Sequence, residues 1–411
     1  MSNRQGVWSL VAQYQAIADQ DWTMAPGAPT GVSGTAGDTQ SVVSFTAPTF
    51  AGIPATITGF KVTSSSGQTA TGSASPITVT GLTNGSAVTF TVQAQNAIGF
   101  GKASDASSSV TPAVPVIALN FGGDTSSGSV NVIDKIDITT LGNASDFGDL
   151  TSASSRNAGV ASSTRAVCFI GFDGSSVVNN ISYKEFSSSG NMSDFGDLTQ
   201  AKFNGSAASN ATRGIHFAGD SNLVIDYITI ASAGNATDFG DANGDGEAKS
   251  TSSAASPTRM VIFGGDLSTP GRSDQIGYLT IGSTGNQNDF GDLLGGTRST
   301  ASFSSNVRGV CSGGFSASGA LQNVIQYITI ASTGNATDFG DMVGNGKKYH
   351  SAACSNTRGL MMGGETTSIS RTNSIEYVTI ASTGNASDFG DLTITETLGQ
   401  GACSNSHGGL Q

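Results

Sequence analysis

The chain has 411 residues, a formal net charge of −12 and a charged fraction of 12%, about half the share of an ordinary soluble domain. Its 18 Lys and Arg residues form no run, which argues against the basic patch that a nucleic-acid partner requires. No apolar stretch approaches the roughly 20 residues needed to cross a bilayer, and no apolar leader core follows the N-terminus, so neither membrane insertion nor export by a leader is expected. The 56 glycines and a hydrophobic fraction of 37% fit many short strands and tight turns better than long helices.

Residues 1–25 differ from the rest. Leu10, Val11, Tyr14, Ile17 and Ala18 recur at helical spacing, flanked by Trp8 and Trp22, the only two tryptophans of the chain. The pattern predicts one short amphipathic helix, too short to be stable alone in water. Two tryptophans and a tyrosine on so short a segment are typical of interface anchors, so Trp8, Leu10, Tyr14, Ile17 and Trp22 are the candidate assembly anchor. The plainer reading docks the helix on its own neighbouring domain.

Residues 26–114 predict a β-sandwich. Strand-like runs at Ser41–Thr46, Thr58–Ser64, Ile77–Thr80, Ala87–Asn96 and near Ser107–Thr111 are separated by turn residues. The stretch Gly81-Leu-Thr-Asn-Gly-Ser-Ala-Val-Thr-Phe-Thr-Val-Gln-Ala-Gln-Asn-Ala-Ile-Gly-Phe-Gly101 resembles the second half of a fibronectin type III domain. Val88 stands where that family carries its corner tyrosine, so the corner hydrogen bond is expected to be missing. The resemblance implies a spacer or binding module, not an activity.

Residues 115–411 repeat. Asp-Phe-Gly-Asp starts at Asp146, Asp194, Asp238, Asp289, Asp338 and Asp388, with spacings between 44 and 51 residues, the mark of a repeat architecture. Each unit carries a small-residue strand (His350–Thr357), an Arg-led strand ending in paired glycines (Arg358-Gly-Leu-Met-Met-Gly-Gly364), a Tyr-Val-Thr-Ile strand and an Asn-Ala-Ser-Asp-Phe-Gly-Asp turn. The Arg recurs as Arg165, Arg213, Arg259, Arg308 and Arg358. This resembles the kelch or galactose-oxidase-central-domain repeat, with Phe in place of the usual Trp. The first unit lacks a first strand, whereas Ala402-Cys-Ser-Asn-Ser-His407 aligns with Ala353-Cys-Ser-Asn-Thr-Arg358. The expected fold is all-β: a short N-terminal helical segment, a fibronectin type III-like sandwich, and a six-bladed kelch-like β-propeller closed by the C-terminal strand, where radial closure leaves only short edges.

Six copies of one motif argue against a single active site. Phe147, Phe195, Phe239, Phe290, Phe339 and Phe389 are expected to plug the gaps between blades, each following glycine to allow a tight backbone, and the flanking Asp carboxylates to accept turn N–H bonds. The glycosylation sequons at Asn143, Asn191, Asn235, Asn335 and Asn385 recur because the turn recurs. Asp241-Ala-Asn-Gly-Asp-Gly246 matches the first half of a calcium loop, but Ser252 stands where the bidentate acid belongs. Asp241, Asn243 and Asp245 are therefore a weak calcium candidate; no firm metal site and no other cofactor is expected. Cys168, Cys311, Cys354 and Cys403 form no Cys-x-x-Cys pair and read as small buried hydrophobes, with a disulfide unexpected because equivalent blade positions lie far apart. His216, His350 and His407 lie in repeat-equivalent or terminal positions and suggest no catalytic set, so no enzymatic activity is expected.

The arrangement, with its Gly6-Val-Trp-Ser-Leu-x-x-Gln-Tyr-Gln-Ala-Ile17 opening, resembles structural proteins of tailed-bacteriophage virions. That resemblance implies a virion location and a multi-copy or homo-oligomeric protein. It also implies attachment to other virion proteins through residues 1–25, and a host-surface glycan or protein as outer partner. A tail appendage or fibre subunit is the first reading and a capsid decoration (head fibre) protein the second. A carbohydrate-active enzyme on a kelch scaffold is the third, since fold alone does not decide activity.

Overall fold

The computed structural model describes residues 9–18, 23–220, 222–243, 249–267, 271–366, 371–394 and 399–410. The chain divides into two compact units, Met1–Pro115 and Val116–Gln411.

In the first unit, helix α1 spans Leu10–Ala18. Ser9 caps it: its side chain accepts the Ala12 N–H at 3.2 Å, relieving one of the orphan donors of a helix start, and its carbonyl accepts the first intrahelical bond, from the Gln13 N–H at 3.0 Å. Two antiparallel sheets follow. One orders Thr30–Gly37, Gln40–Thr46 and Ile77–Thr80; the other Thr69–Gly72, Gly59–Ser64, Phe90–Asn96 and Gly99–Phe100. Strict in–out alternation on Gln40–Thr46 and Phe90–Asn96 delivers Val43, Phe45, Phe60, Val62, Val79, Phe90 and Val92 to one core.

The strand expected near Ser107–Thr111 is corrected to a single bridge, Val88 to Val110. Its place on the edge of Phe90–Asn96 is taken by serines. Ser107 and Ser104 hydroxyls accept the Phe90 and Val92 N–H groups at 3.0 and 2.9 Å, so side chains substitute for a regular ladder. The strand Thr30–Gly37 was not expected. Its Gly34 is required by packing, since a Cβ there would lie 2.8 Å from Val110 Cγ2.

The second unit contains, among the described residues, six four-stranded antiparallel sheets. Sheets 2 to 6 run in chain order, from Ala158–Ala161 to Ser193–Asp197 in sheet 2 and from Ser351–Cys354 to Ser387–Asp391 in sheet 6. Sheet 1 is composite. Ile117–Thr125, Gly128–Asp137 and Ser145–Ser154 are joined by the last strand, Gly401–Ser404, with Gly401 opposite Phe121 and Ser404 opposite Ala118.

First strands of successive sheets touch one another, and the series returns through Gly401–Ser404 to Ala158–Ala161. Crowding there explains their small residues: a Cβ on Gly159 would sit 2.4 Å from the Ala402 carbonyl. Six apolar clusters fill the spaces between neighbouring sheets. One joins Phe339 of sheet 5 to Val378 and Ile380 of sheet 6, and another joins Phe389 of sheet 6 to Ile136 and Ile138 of sheet 1.

Candidate functional site

The Asp-Phe-Gly-Asp motif is a strand, not the turn read from the sequence. It forms the fourth strand in sheets 2 to 6, as in Thr337–Asp341, and opens the fourth strand of sheet 1. In sheet 6 the register runs Ile375 to Gly390 and then Glu376 to Asp388, so Phe389 is the extra, bulged residue. A bulge re-aims one side chain, and here it turns the phenylalanine into the space between sheets. Phe195, Phe239, Phe290, Phe339 and Phe389 are 2–3% exposed, each with the tyrosine of its third strand edge-on at 5.7–6.1 Å. Phe147 is only half-buried. Its neighbour position holds Lys135 in place of tyrosine, and Lys184 lies 3.9 Å over its ring.

The glycine and the second Asp serve the next sheet. Gly340 has φ of +145° and a Cβ there would lie 2.5 Å from the Gly384 carbonyl, so both conformation and space require glycine. The expectation that both Asp carboxylates accept turn N–H groups needs correction. Asp146 and Asp238 do so, from Gly148 and Gly240 at 3.0 and 3.1 Å. The second Asp instead donates its backbone N–H to an asparagine of the following sheet: Asp149 to Asn191, Asp197 to Asn235, Asp241 to Asn286, Asp292 to Asn335, Asp341 to Asn385, and Asp391 back to Asn143, at 3.0–3.2 Å. Asn286 keeps the bond although Gln287-Asn288 makes it no sequon, so the asparagine recurs for this junction.

The repeated arginines form a second junction. Each guanidinium lies 4.1–4.8 Å over its own sheet's tyrosine and donates to a carbonyl of the next sheet, from Arg165 to Ile230 through Arg358 to Ile138, at 2.7–3.1 Å. A planar cation that stacks and donates at once fits this position, where lysine would not. Two ion pairs are fully buried: Lys202–Asp226 at 2.9 Å and Lys347–Glu376 at 2.7 Å. Burial pulls both lysines below their usual range, and the carboxylate partners oppose that shift.

The anchor candidates divide. Leu10 and Tyr14 are 72% and 70% exposed, as is the neighbouring Val11 at 77%; Trp8, Trp22 and the Ile17 side chain lie outside the described residues. Of the calcium candidates, Asp241 ends a fourth strand and Asn243 donates through its side-chain amide to the Gln287 carbonyl at 2.7 Å; Asp245 lies outside the described residues. Among the described residues no three His, Cys, Asp or Glu side chains gather as a metal ion would need, and no helix is long and apolar enough to cross a membrane.

The cysteines are free and buried. Cys168 and Cys403 nevertheless share one apolar cluster, a cross pair that the argument from equivalent positions did not cover. His216 and His350 are buried and His407 half-buried; desolvation holds all three below the ordinary imidazole range, His350 at about 3.

Sequence reasoning missed a cavity of about 530 Å³ framed by the N-terminal ends of the six first strands. Its rim is a repeated position: Arg156, Asn204, Ser250, Ser299, Tyr349 and Gly399. The non-glycine members have φ of 54–56° and Gly399 has 70°. Rim N–H groups donate to the preceding rim carbonyl, as in Ser250 to Asn204 at 2.7 Å, Ser299 to Ser250 at 2.8 Å and Gly399 to Tyr349 at 2.8 Å. At the opposite ends of the first strands, His407 Nε2 donates to the Ala161 carbonyl at 2.9 Å, and the turn Gly408–Leu410 packs against sheets 3, 4 and 5. The only sequence signal for the rim was that its residue varies where its neighbours repeat.

Residues 27–110 match the family described as Fibronectin type III domain. No curated protein matches the chain. The chain is all-β, with a fibronectin type III domain at residues 27–110 as one of its modules.

Proposed function

We propose that this chain is a structural protein of a tailed-bacteriophage virion, a tail appendage or fibre subunit present in several copies. Residues 1–25 attach it to other virion proteins, and the second unit is presented to the host surface. The observation that carries the attachment is α1, whose Leu10, Val11 and Tyr14 stand exposed on one short helix; an apolar surface of this kind marks an interaction site.

The second unit is read as a six-bladed kelch-like propeller. Six four-stranded sheets in cyclic contact support that reading, and so does a last strand paired into the first sheet. The six Asp–Asn junctions and the five-fold repetition of the Arg and buried Phe contacts support a structural role for the motif in place of chemistry.

The test is incorporation. Chains lacking residues 1–25 are expected to fold but to be absent from purified particles by quantitative mass spectrometry. Incorporation equal to wild type would move the attachment to another part of the chain. Imaging of labelled particles separates a tail position from the capsid position of a decoration protein.

A further inference from the structure

We propose that the cavity framed by the six first strands binds a carboxylated sugar, with the carboxylate on Arg156. The inference gives a ligand class to the host-contact reading and rests on it for its biological sense.

The rim carries the argument. All six positions share one left-handed backbone conformation, which glycine adopts without strain and other residues adopt at a cost of order 1 kcal/mol each. A purely structural collar would be glycine throughout, as it is at Gly399. Five positions instead hold Arg, Asn, Ser, Ser and Tyr. The rim backbone is engaged in its own N–H to carbonyl bonds, so what differs from sheet to sheet is side-chain chemistry facing a cavity of about 530 Å³, within the usual range for small-ligand sites.

The charge is specific. Arg156 is the only Lys or Arg lining the cavity among the described residues, and the lining's one carboxylate there, Asp220, is neutralised by Lys249. Its guanidinium is held 5.4 Å over Phe172 and 5.0 Å over Phe203, and among the described residues no carboxylate pairs with it. Nearby cations are compensated: Lys249 by Asp220 at 3.2 Å, Arg298 by Asp266, and Lys348 by Glu365 at 2.8 Å. In a chain of net charge −12, an exposed guanidinium uncompensated among the described residues and braced by two aromatic rings is suited to bind a carboxylate bidentately.

The other unoccupied groups match hydroxyls. Ser299 Oγ and His350 Nδ1 are buried in the lining, on residues each 5% exposed, and have no partner. His350 is fixed through Nε2, 3.0 Å from the Ser312 hydroxyl. Burial keeps the ring neutral, so Nδ1 is an acceptor or a donor according to tautomer. Tyr349 supplies an aromatic surface for a sugar ring. An apolar ligand would leave these polar atoms unsatisfied, and a bare inorganic anion would leave most of the volume unfilled.

The test uses the purified full chain and saturation-transfer NMR with sodium glucuronate, glucose and inorganic phosphate as probes. Glucuronate is expected to receive saturation and glucose to bind at least about tenfold more weakly. Arg156→Gln and Ser299→Ala should each weaken glucuronate, the first by about tenfold or more, with an unchanged melting profile. If Arg156→Gln melts early, Arg156→Lys keeps the charge, loses the fork and should still weaken binding. The proposal is overturned if glucuronate does not bind, if Arg156→Gln binds it as well as wild type, or if phosphate displaces it at equal concentration, which would make the site a simple anion trap. Because no particle is involved, failure here leaves the incorporation test standing, and failure of incorporation leaves this binding measurement intact.

Discussion

Replacing Phe339 by alanine tests the account of how the sheets hold together. The ring is 2% exposed, packs with Val378 and Ile380 of the following sheet, and meets Tyr327 edge-on at 6.0 Å. A buried Phe→Ala change costs about 3–5 kcal/mol, and the lost aromatic pair adds about 1 kcal/mol, giving about 4–6 kcal/mol. Phe147→Ala is the internal control. That ring is half-buried and stacked on lysines, so its loss should cost about half as much or less. For a unit of this size the Phe339 change lowers the melting temperature by roughly 6–12 °C. Differential scanning calorimetry of the full chain reads the second unit's transition in both variants. Equal shifts for the two, or a Phe339→Ala shift within a degree or two of wild type, would refute the plug reasoning.

Two further outcomes follow from the same contacts. Removing residues 401–411 takes away the partner of Ile117–Thr125 and the Asn405 side chain that accepts the Ile117 N–H at 2.8 Å. The truncated chain should lose several kcal/mol in urea unfolding and gain proteolysis near Ile117, and an unaltered unfolding curve would show the pairing to be idle. Acid should weaken the second unit. His350 stays neutral in the fold down to about 3 and takes a proton near 6.5 when unfolded, so its contribution is complete above 6.5 and is lost as pH falls through that window. The loss is about 1.4 kcal/mol per pH unit, or about 2 kcal/mol at pH 5. His216 and His407 act with the same sign. His350→Gln should flatten the pH dependence of the urea midpoint between pH 5 and 7 by about one proton, and an unchanged slope would contradict the assignment.

Repetition made much of the fold legible. Residues recurring every 44–51 positions tend to meet the same surroundings, so Phe339 and its equivalents other than Phe147 could be placed inside from sequence alone, and the aligned Ala402-Cys-Ser-Asn segment pointed to the strand that pairs with Ile117–Thr125. What failed was local. Asp, Gly and Asn normally mark turns, and nothing in Asp-Phe-Gly-Asp says that the glycine bends a strand for a neighbour's loop. Thr30–Gly37 escaped because its edge position needs no large apolar residues. The cavity escaped for the opposite reason: apart from the two serines, its rim residues from Arg156 to Tyr349 differ from sheet to sheet, and a search for likeness passes over them.

The pairing of Gly401–Ser404 with Ile117–Thr125 has a consequence for synthesis. Ile117 and Asn405, bonded in the fold, are 288 residues apart. At about 5–20 residues per second, roughly 15–60 s separate the two from emergence. Throughout that time the first sheet has three of its strands, and the largely buried strand Ile117–Thr125 presents an open edge. Such an edge accepts any compatible strand, and at high ribosome loading one source of a compatible strand is the Gly401–Ser404 segment of a neighbouring chain. Slow or crowded translation is therefore expected to favour chains exchanged through Gly401–Ser404, and the yield of chains paired within themselves to depend on timing as well as on stability.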